Sequence, residues 1–401
     1  MLPVTPRSSP LRSDTSRGPR LADRRRIAAE RLAAMRIAPP AEPRASMLET
    51  IAETVHHHLA MQAQDVSSGM WSVGVRTGAT RADVEAAIEA RLVTRSWPMR
   101  GTLHLMATQD VRWMCRLLNA RMVTVQQAVF EASGLTEEVV DRAREVLVTA
   151  LKGGVALSRP DAVALLEANG VDPSGQRAYH LVGRFCQEGL LCQGPAEGRQ
   201  PTFVLIDDWV PWSWEPEREE AMAALATRYV ASHGPVTERD LAGWCNQNLT
   251  FAREAVALAG DAVGTETIGG QTYLVAAERP EPAPGTPVRL LPGFDEYVLG
   301  YKDRSALMTP EEELLVVPGK NGMFLGTVVV GGLVVGTWNR RTTAKKTVVT
   351  VTPFGSLSAT RRREVERAAA AFGRFLGSPV ETVVSESALA RPGERPPTVV
   401  R

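Results

Sequence analysis

Cysteine and lysine are both scarce in this chain. Its 401 residues include four cysteines, Cys115, Cys186, Cys192 and Cys245, and only five lysines among 46 basic residues. None of the cysteines forms a Cys-x-x-Cys pair, and no histidine stands at finger spacing from two of them. These absences argue against a zinc framework or a disulfide scaffold, so the thiols are expected to be reduced and buried. No apolar run reaches the roughly 20 residues that a membrane-spanning helix needs. The arginine-rich N-terminus lacks the apolar core of a secretory signal, and a cytoplasmic protein is expected. What is present is an ordinary globular composition, 44% apolar, over a length that suits about two to four domains.

Net charge is +1, but it is unevenly spread. Residues 1–46 hold ten arginines against four acids, or +6, which leaves −5 for the remainder. A second basic stretch carries Arg340, Arg341, Lys345, Lys346, Arg361, Arg362, Arg363, Arg367 and Arg374 against Glu364 and Glu366. Arginine's planar fork suits bidentate phosphate contact, so these runs are candidate nucleic-acid surfaces as well as candidate solvated faces.

Hydrophobic periodicity divides the chain. Residues 1–20 have none and are expected to form a disordered tail. A helix with a basic side is expected over 21–37. Ser46 caps the next, with Glu49 completing a capping box. Its stripe is Leu48, Ile51, Val55 and Leu59, and it is expected to end near Gln62. Three helices followed by a two-stranded hairpin then recur, at 137–206, at about 217–277 and, less regularly, at 48–107. That order is the winged-helix plan, which places its third helix in a DNA groove but also serves in protein interaction. Beyond a Pro-rich linker at 278–288, two β-branched runs flank Gly331-Gly332 as a hairpin would. A last helix is expected over 357–377. The expected fold class is α+β. Tandem winged-helix domains cover 21–136, 137–210 and 211–280, a β-rich domain covers 281–387, and 388–401 is a tail.

The stretch "MQAQD" (61–65) puts Gln62 and Gln64 two residues apart where an amphipathic helix stops. In a helix these positions diverge, whereas in extended chain they share a face. They act together only if the helix gives way to extended backbone there, as the turn-forming "DVSSG" (65–69) suggests. Otherwise they are ordinary capping or surface amides.

"MQAQD", followed by "RSWPMRGTLHLM" (95–106), "LLPGFDEYVLGYKDR" (290–304) and "GTVVVGGLVVGTW" (326–338), resembles the AlkZ-like family of bacterial DNA glycosylases. Members carry a Gln-x-Gln or Gln-x-Asp catalytic motif and an Arg-Gly-Thr-Leu-His-Leu segment further along. The resemblance spans about 21–377 and falls on the Gln-x-Gln side of the family. It implies tandem winged helices in an open C-shaped clamp. It also implies cleavage of the N-glycosidic bond of bulky N7-alkylpurines in double-stranded DNA, extending to interstrand crosslinks and to self-resistance against genotoxic natural products. Gln62 and Gln64 would be the catalytic residues. An N7-alkylguanine is already cationic and leaves as a neutral base, so the attacking water needs placement more than deprotonation.

Around the motif, Asp65 is a candidate base, a charge that steadies the oxocarbenium, or a cap of the next segment. His58 is a candidate brace for Gln62. Consecutive helical residues diverge by roughly 100° each, so His56, His57 and His58 are not expected to bind a metal, and no cofactor is expected. Arg100 and His104 are candidates for phosphate contact or for support of the glutamines. Arg340, Arg341, Lys345 and Lys346 are the candidate DNA-contacting cluster. Asp295, Asp303 and Arg304 are expected to form a buried ion-pair set, and Trp71 and Trp97 to lie in the core. The first lysine of the chain is Lys152, which disfavours a Schiff-base lyase centred on the motif. A monomer acting at the nucleoid is expected. The competing reading is a winged-helix DNA-binding regulator without catalysis.

Overall fold

A computed structural model of the chain describes residues 20–38, 46–198, 200–285, 287–320, 322–343 and 346–386. Residues 1–19, the 388–401 stretch and Lys345 lie outside the described residues. The chain is α+β. Helix α1 (Leu21–Ala34) buries Ile27, Ala28 and Arg31. It stops short of 37 because Arg36 turns to a positive φ of 50°.

A six-element order follows: α2 (Met47–His57), β1 (Met61–Gln62), α3 (Val66–Thr77), α4 (Arg81–Glu89), β2 (Val93–Met99) and β3 (Thr102–Ala107). The Ser46 cap forms, with its hydroxyl accepting from Glu49 N at 3.2 Å. Helix α2 ends at His57, earlier than the apolar stripe implies. The His58 ring takes the Thr54 carbonyl at 2.8 Å, and Leu59 adopts φ +64°, so the chain leaves the helix before the glutamines.

The 22-residue helix α5 (Val111–Ala132) leads to a second set. It comprises α6 (Glu137–Leu151), β4 (Leu157–Ser158), α7 (Arg159–Ala168), α8 (Arg177–Gln187), β5 (Leu191–Gln193) and β6 (Thr202–Leu205). After a short α9 (Ile206–Trp209), a third set comprises α10 (Arg218–His233), α11 (Glu238–Trp244), α12 (Leu249–Ala259), β7 (Val263–Ile268) and β8 (Gln271–Ala276). There a Val236–Leu274 bridge stands in for the first strand. Each set thus runs helix, strand, helix, helix, strand, strand, the order of a winged helix. The first two share one six-stranded sheet, β1-β3-β2-β5-β6-β4, joined where Arg95 faces Gln193.

The C-terminal part holds β9 (Val288–Leu291), α13 (Glu296–Leu299), α14 (Pro310–Val316), β10 (Gly326–Val330), β11 (Leu333–Thr342), β12 (Thr347–Pro353), α15 (Ala359–Leu376) and β13 (Val380–Val384). Its sheet is β13-β12-β11-β10-β9, antiparallel except for β12–β13, which α15 connects as a crossover. Phe372 of α15 meets Trp71 and Trp338 edge-on, so Trp71 is a core residue, as expected. All four cysteines are buried free thiols, and burial pushes Cys115, Cys192 and Cys245 up to about 12. Among the described residues no helix is long and apolar enough to cross a membrane.

The segment 294–301, "FDEYVLGY", ties these parts together. The fully buried Arg76 of α3 forks onto Asp295 with two bonds of 2.8 Å, and Ser72 donates to the same carboxylate. The Tyr297 hydroxyl donates to Gly332 O at 2.6 Å, Tyr229 reaches Gly300 O at 2.7 Å, and Tyr301 reaches His233 O at 2.8 Å. Arg31 of α1 stacks 3.8 Å over the Tyr301 ring. The expected ion-pair set is therefore corrected. Asp295 pairs with Arg76, Arg304 pairs with Glu313 at 2.9 Å, and Asp303 caps Ser305 N. The reason is reach: Asp295 caps α13 facing α3, while Arg304 turns back towards α14.

Because Asp295 neutralises a buried guanidinium, Asp295→Asn should cost about 3–5 kcal/mol, the scale for breaking one side of a buried pair. Chemical denaturation should show the loss. An apolar double replacement, Arg76→Met with Asp295→Leu, should recover most of it. An unchanged midpoint for the single variant would contradict the role assigned to this pair.

Candidate active site

The motif lies on β1, the short edge strand of the shared sheet. Met61 pairs with Leu105 and Gln62 with His104. Ala63 N donates to Leu103 O at 2.8 Å, and the Gln64 side chain then takes the next rung: Leu103 N donates to Gln64 Oε1 at 3.1 Å. A backbone N–H can only donate, so the carboxamide oxygen of Gln64 is assigned without ambiguity. That oxygen keeps a second lone pair, and its Nε2 keeps both hydrogens. The two glutamines are therefore held against consecutive residues of β3 on extended backbone. Between them, Ala63 is buried beneath Gly69 of α3. A Cβ on Gly69 would stand 2.5 Å from the Ala63 Cβ and 3.2 Å from Gln62 O, so glycine is needed for the strand and helix to touch.

The outer edge of β1 is covered from the C-terminal part. Gln62 N donates to Glu296 Oε1 at 3.0 Å, and Trp244 Nε1 donates to Glu296 Oε2 at 2.8 Å. Glu296 is fully buried. Burial opposes its charge, but the His233 ring 3.8 Å away and the Arg100 guanidinium at 4.0 Å outweigh that and hold the carboxyl at about 2.

Arg100 and Gly101 form the β2–β3 turn, both at positive φ (56° and 66°), the pattern of a type I′ hairpin. This turn aims Arg100 back along the sheet, where its Nη2 donates to His104 Nε2 at 2.9 Å. His104 in turn donates from Nδ1 to Thr102 O at 2.9 Å. Burial and the neighbouring Arg100 charge bring His104 down to about 3, so its ring is neutral at physiological pH. Arg100, His104 and Glu296 thus form a chain of contacts directly behind Gln62.

The remaining candidates divide. Asp65 caps α3, accepting from Ser68 N at 2.6 Å, and Arg340 Nη2 lies 3.5 Å from the same oxygen. The β11–β12 hairpin therefore brings Arg340 to the motif. Arg341 is exposed on the same strand, and Lys346 pairs with Glu381 at 2.5 Å. His58 does not brace Gln62. Its Nε2 accepts from Arg76 at 3.2 Å, and burial holds the ring well below its usual range, making it part of the Arg76–Asp295 cluster. His56 turns to Asp110 at 2.8 Å and His57 to Ala34 O at 2.8 Å, while the His57 ring meets His58 edge-on at 5.2 Å, so the three ring nitrogens are spent on different partners. Among the described residues no group of three or more His, Cys, Asp or Glu could hold a metal ion. Sequence reasoning missed Glu296 and Gly69. The signal for Glu296 was an acidic pair inside the apolar "GFDEYVLGY"; Gly69 carried none.

The family model of the AlkZ-like DNA glycosylases matches residues 55–375, and the chain belongs to that family. An interstrand DNA cross-link repair glycosylase of Streptomyces sahachiroi is 28% identical over 368 residues, covering 88% of this chain and 96% of that protein. The solved structure of the Streptomyces sahachiroi DNA glycosylase AlkZ matches with a TM-score of 0.74 at 27% identity, covering 90% of this chain and 98% of that one. The protein is accordingly an enzyme of the DNA glycosylase class, and the regulator reading falls away.

Gly69→Ala forces β1 off α3 and should lower base release by about tenfold or more, with a stability loss of about 1–3 kcal/mol from overpacking. Single-turnover base release alongside a melting curve checks this. Wild-type release would show that the glutamines tolerate displacement.

Proposed function

We propose that the enzyme hydrolyses the N-glycosidic bond of N7-alkylated purines in duplex DNA, including bulky adducts, and unhooks interstrand crosslinks. One observation carries this reading: the motif offers two carboxamides on a fixed edge, with Glu296 walled in behind Gln62 and one exposed carboxylate, Asp65, which caps α3 through Oδ1 beside Arg340. Such a site suits a reaction in which the leaving group is already activated. In N7-alkylguanine the C1′–N9 electron pair departs onto a cationic ring, giving a neutral free base. The sugar becomes oxocarbenium-like and water adds at C1′, releasing its proton to solvent. Gln64, through the second lone pair of Oε1, and Gln62 orient that water, while the Asp65 charge lies close enough to steady the sugar cation. An undamaged purine, a far poorer leaving group, is left intact.

The duplex is held in an open clamp by a monomer working at the nucleoid. Arg340, next to the motif, together with Arg341, Lys346 and the sequence-neighbouring Lys345, meets phosphates; Arg100 and His104 support the glutamines from behind. Whether the enzyme serves self-resistance follows from which adduct its host encounters.

Gln62→Ala and Gln64→Ala should each slow base release by roughly 10²-fold, the scale of a lost positioning group, with DNA affinity nearly unchanged. The wild type should free N7-alkylguanines of different size, and no uracil, 8-oxoguanine or undamaged guanine, in an abasic-site assay. Full activity of both variants, or efficient uracil release, would sink the assignment.

A further inference from the structure

Three strands of the C-terminal sheet send their flanking segments out at the same end. Strand β9 pairs Leu291 with Thr327 and continues through Gly293 towards Glu296, which holds Gln62 N. Strand β10 begins at Gly326, opposite Trp338 of β11, so residues 323–325 stand just outside the sheet at that end. Strand β11 runs past the same rung and carries Arg340 to Asp65. The segment "MFL" (323–325) therefore leaves the sheet between the chain that pins Gln62 and the strand that brings a cation to the motif.

This segment is apolar where it meets solvent. Met323 is 55% exposed and Leu325 41%. Its footing is fixed. Leu325 N donates to Val316 O at 2.9 Å. The Phe324 ring contacts Phe294, with centroids 5.9 Å apart, and the Arg304 guanidinium, 4.9 Å from its centre. Arg304 is itself held by Glu313 at 2.9 Å and by Val298 O at 2.7 Å. A Cβ on Gly293 would stand 2.6 Å from Phe324 O, so the two segments touch through their backbones. Apolar side chains held rigidly in water beside an active strand point to a partner that covers them. The neighbours select duplex DNA as that partner: the sugar must come to Gln62 and Gln64, and Arg340 beside them suits a phosphate. Met and Leu are among the residues that DNA-bending proteins insert between base steps, unstacking the step and kinking the duplex.

We propose that Met323 and Leu325 enter the base stack beside the lesion as an apolar wedge. This rests on the glycosylase reading above and adds a further working part to it. A bulky adduct cannot readily swing out of the helix into a snug pocket. Opening the neighbouring base step instead brings C1′ of the lesion to the glutamines while the adduct stays in place. The two side chains leave water as they enter the stack, which offsets part of the lost stacking.

The test uses the full chain and a duplex carrying 2′-fluoro-N7-methylguanine, which resists base release, next to 2-aminopurine, whose fluorescence rises on unstacking. The wild type should raise that signal severalfold, and the double variant Met323→Ser with Leu325→Ser should remove most of the rise. Both positions are exposed, so the melting point should stay unchanged. On a cleavable N7-methylguanine duplex the same variant should slow single-turnover base release by about tenfold. The loss should shrink to less than about threefold when the lesion faces an abasic analogue, where the stack is already weakened. Met323→Leu with Leu325→Met keeps the apolar bulk and should behave as the wild type in every assay. An unchanged 2-aminopurine signal, or equal losses on the two cleavable duplexes, would overturn the proposal and leave the glycosylase reading intact. So would a wild-type dimer that the serine variant disperses, which would assign the patch to a second copy of the chain. Failure of the wild type to release the base from either cleavable duplex would remove that reading, and the proposal with it.

Discussion

Asp295 and Glu296 are adjacent and buried, and the active strand sits where the partners of these two carboxyl groups put it. Asp295 is answered by the Arg76 fork from α3. Glu296 is answered by N–H donors from β1 and α11, with Arg100 close behind. A buried charge left unpaired is expensive, so neither element can shift without exposing that penalty. The same two residues therefore hold β1 at Gln62 and α3 at Ser72 and Arg76, and Gln64 lies on the chain between these points. The tyrosines of the segment extend the lock to α1, α10 and the C-terminal sheet.

This arrangement separates strength from reactivity. The strong charges near the motif are consumed in structure: Glu296 holds a strand, Asp65 caps a helix, and His104 is neutral and bonded on both ring nitrogens. The two carboxamides beside them carry hydrogen-bonding capacity and no charge, Gln62 half-buried and Gln64 exposed next to the Asp65 cap. Weak groups on a rigid edge discriminate by leaving group, because they add placement but little driving force.

Much of this was legible from residue patterns, in particular the helical sets, the hairpin at Gly331-Gly332, and the dependence of the glutamines on extended backbone. Helix α3 was not. Residues 69–77 are all buried, so the helix has no polar face and shows no period. Its opening "DVSSG" was expected to form a turn, and Asp65 takes the capping role that was one of its expected alternatives. The early end of α2 came from Leu59 and the His58 ring, which the apolar stripe does not register. The role of Glu296 is a product of long-range contact, 234 residues from Gln62, which local pattern cannot show.

The central claim is that Gln62 and Gln64 place a water that no carboxylate deprotonates. The most direct measurement is a high-resolution structure of the enzyme on a duplex carrying a cationic pyrrolidine analogue of the oxocarbenium sugar. The account predicts one ordered water below the ring nitrogen, within about 2.6–3.2 Å of Gln64 Oε1 and of the Gln62 carboxamide. A water bound instead to a freed Asp65 carboxylate, with both glutamines turned away, would contradict it.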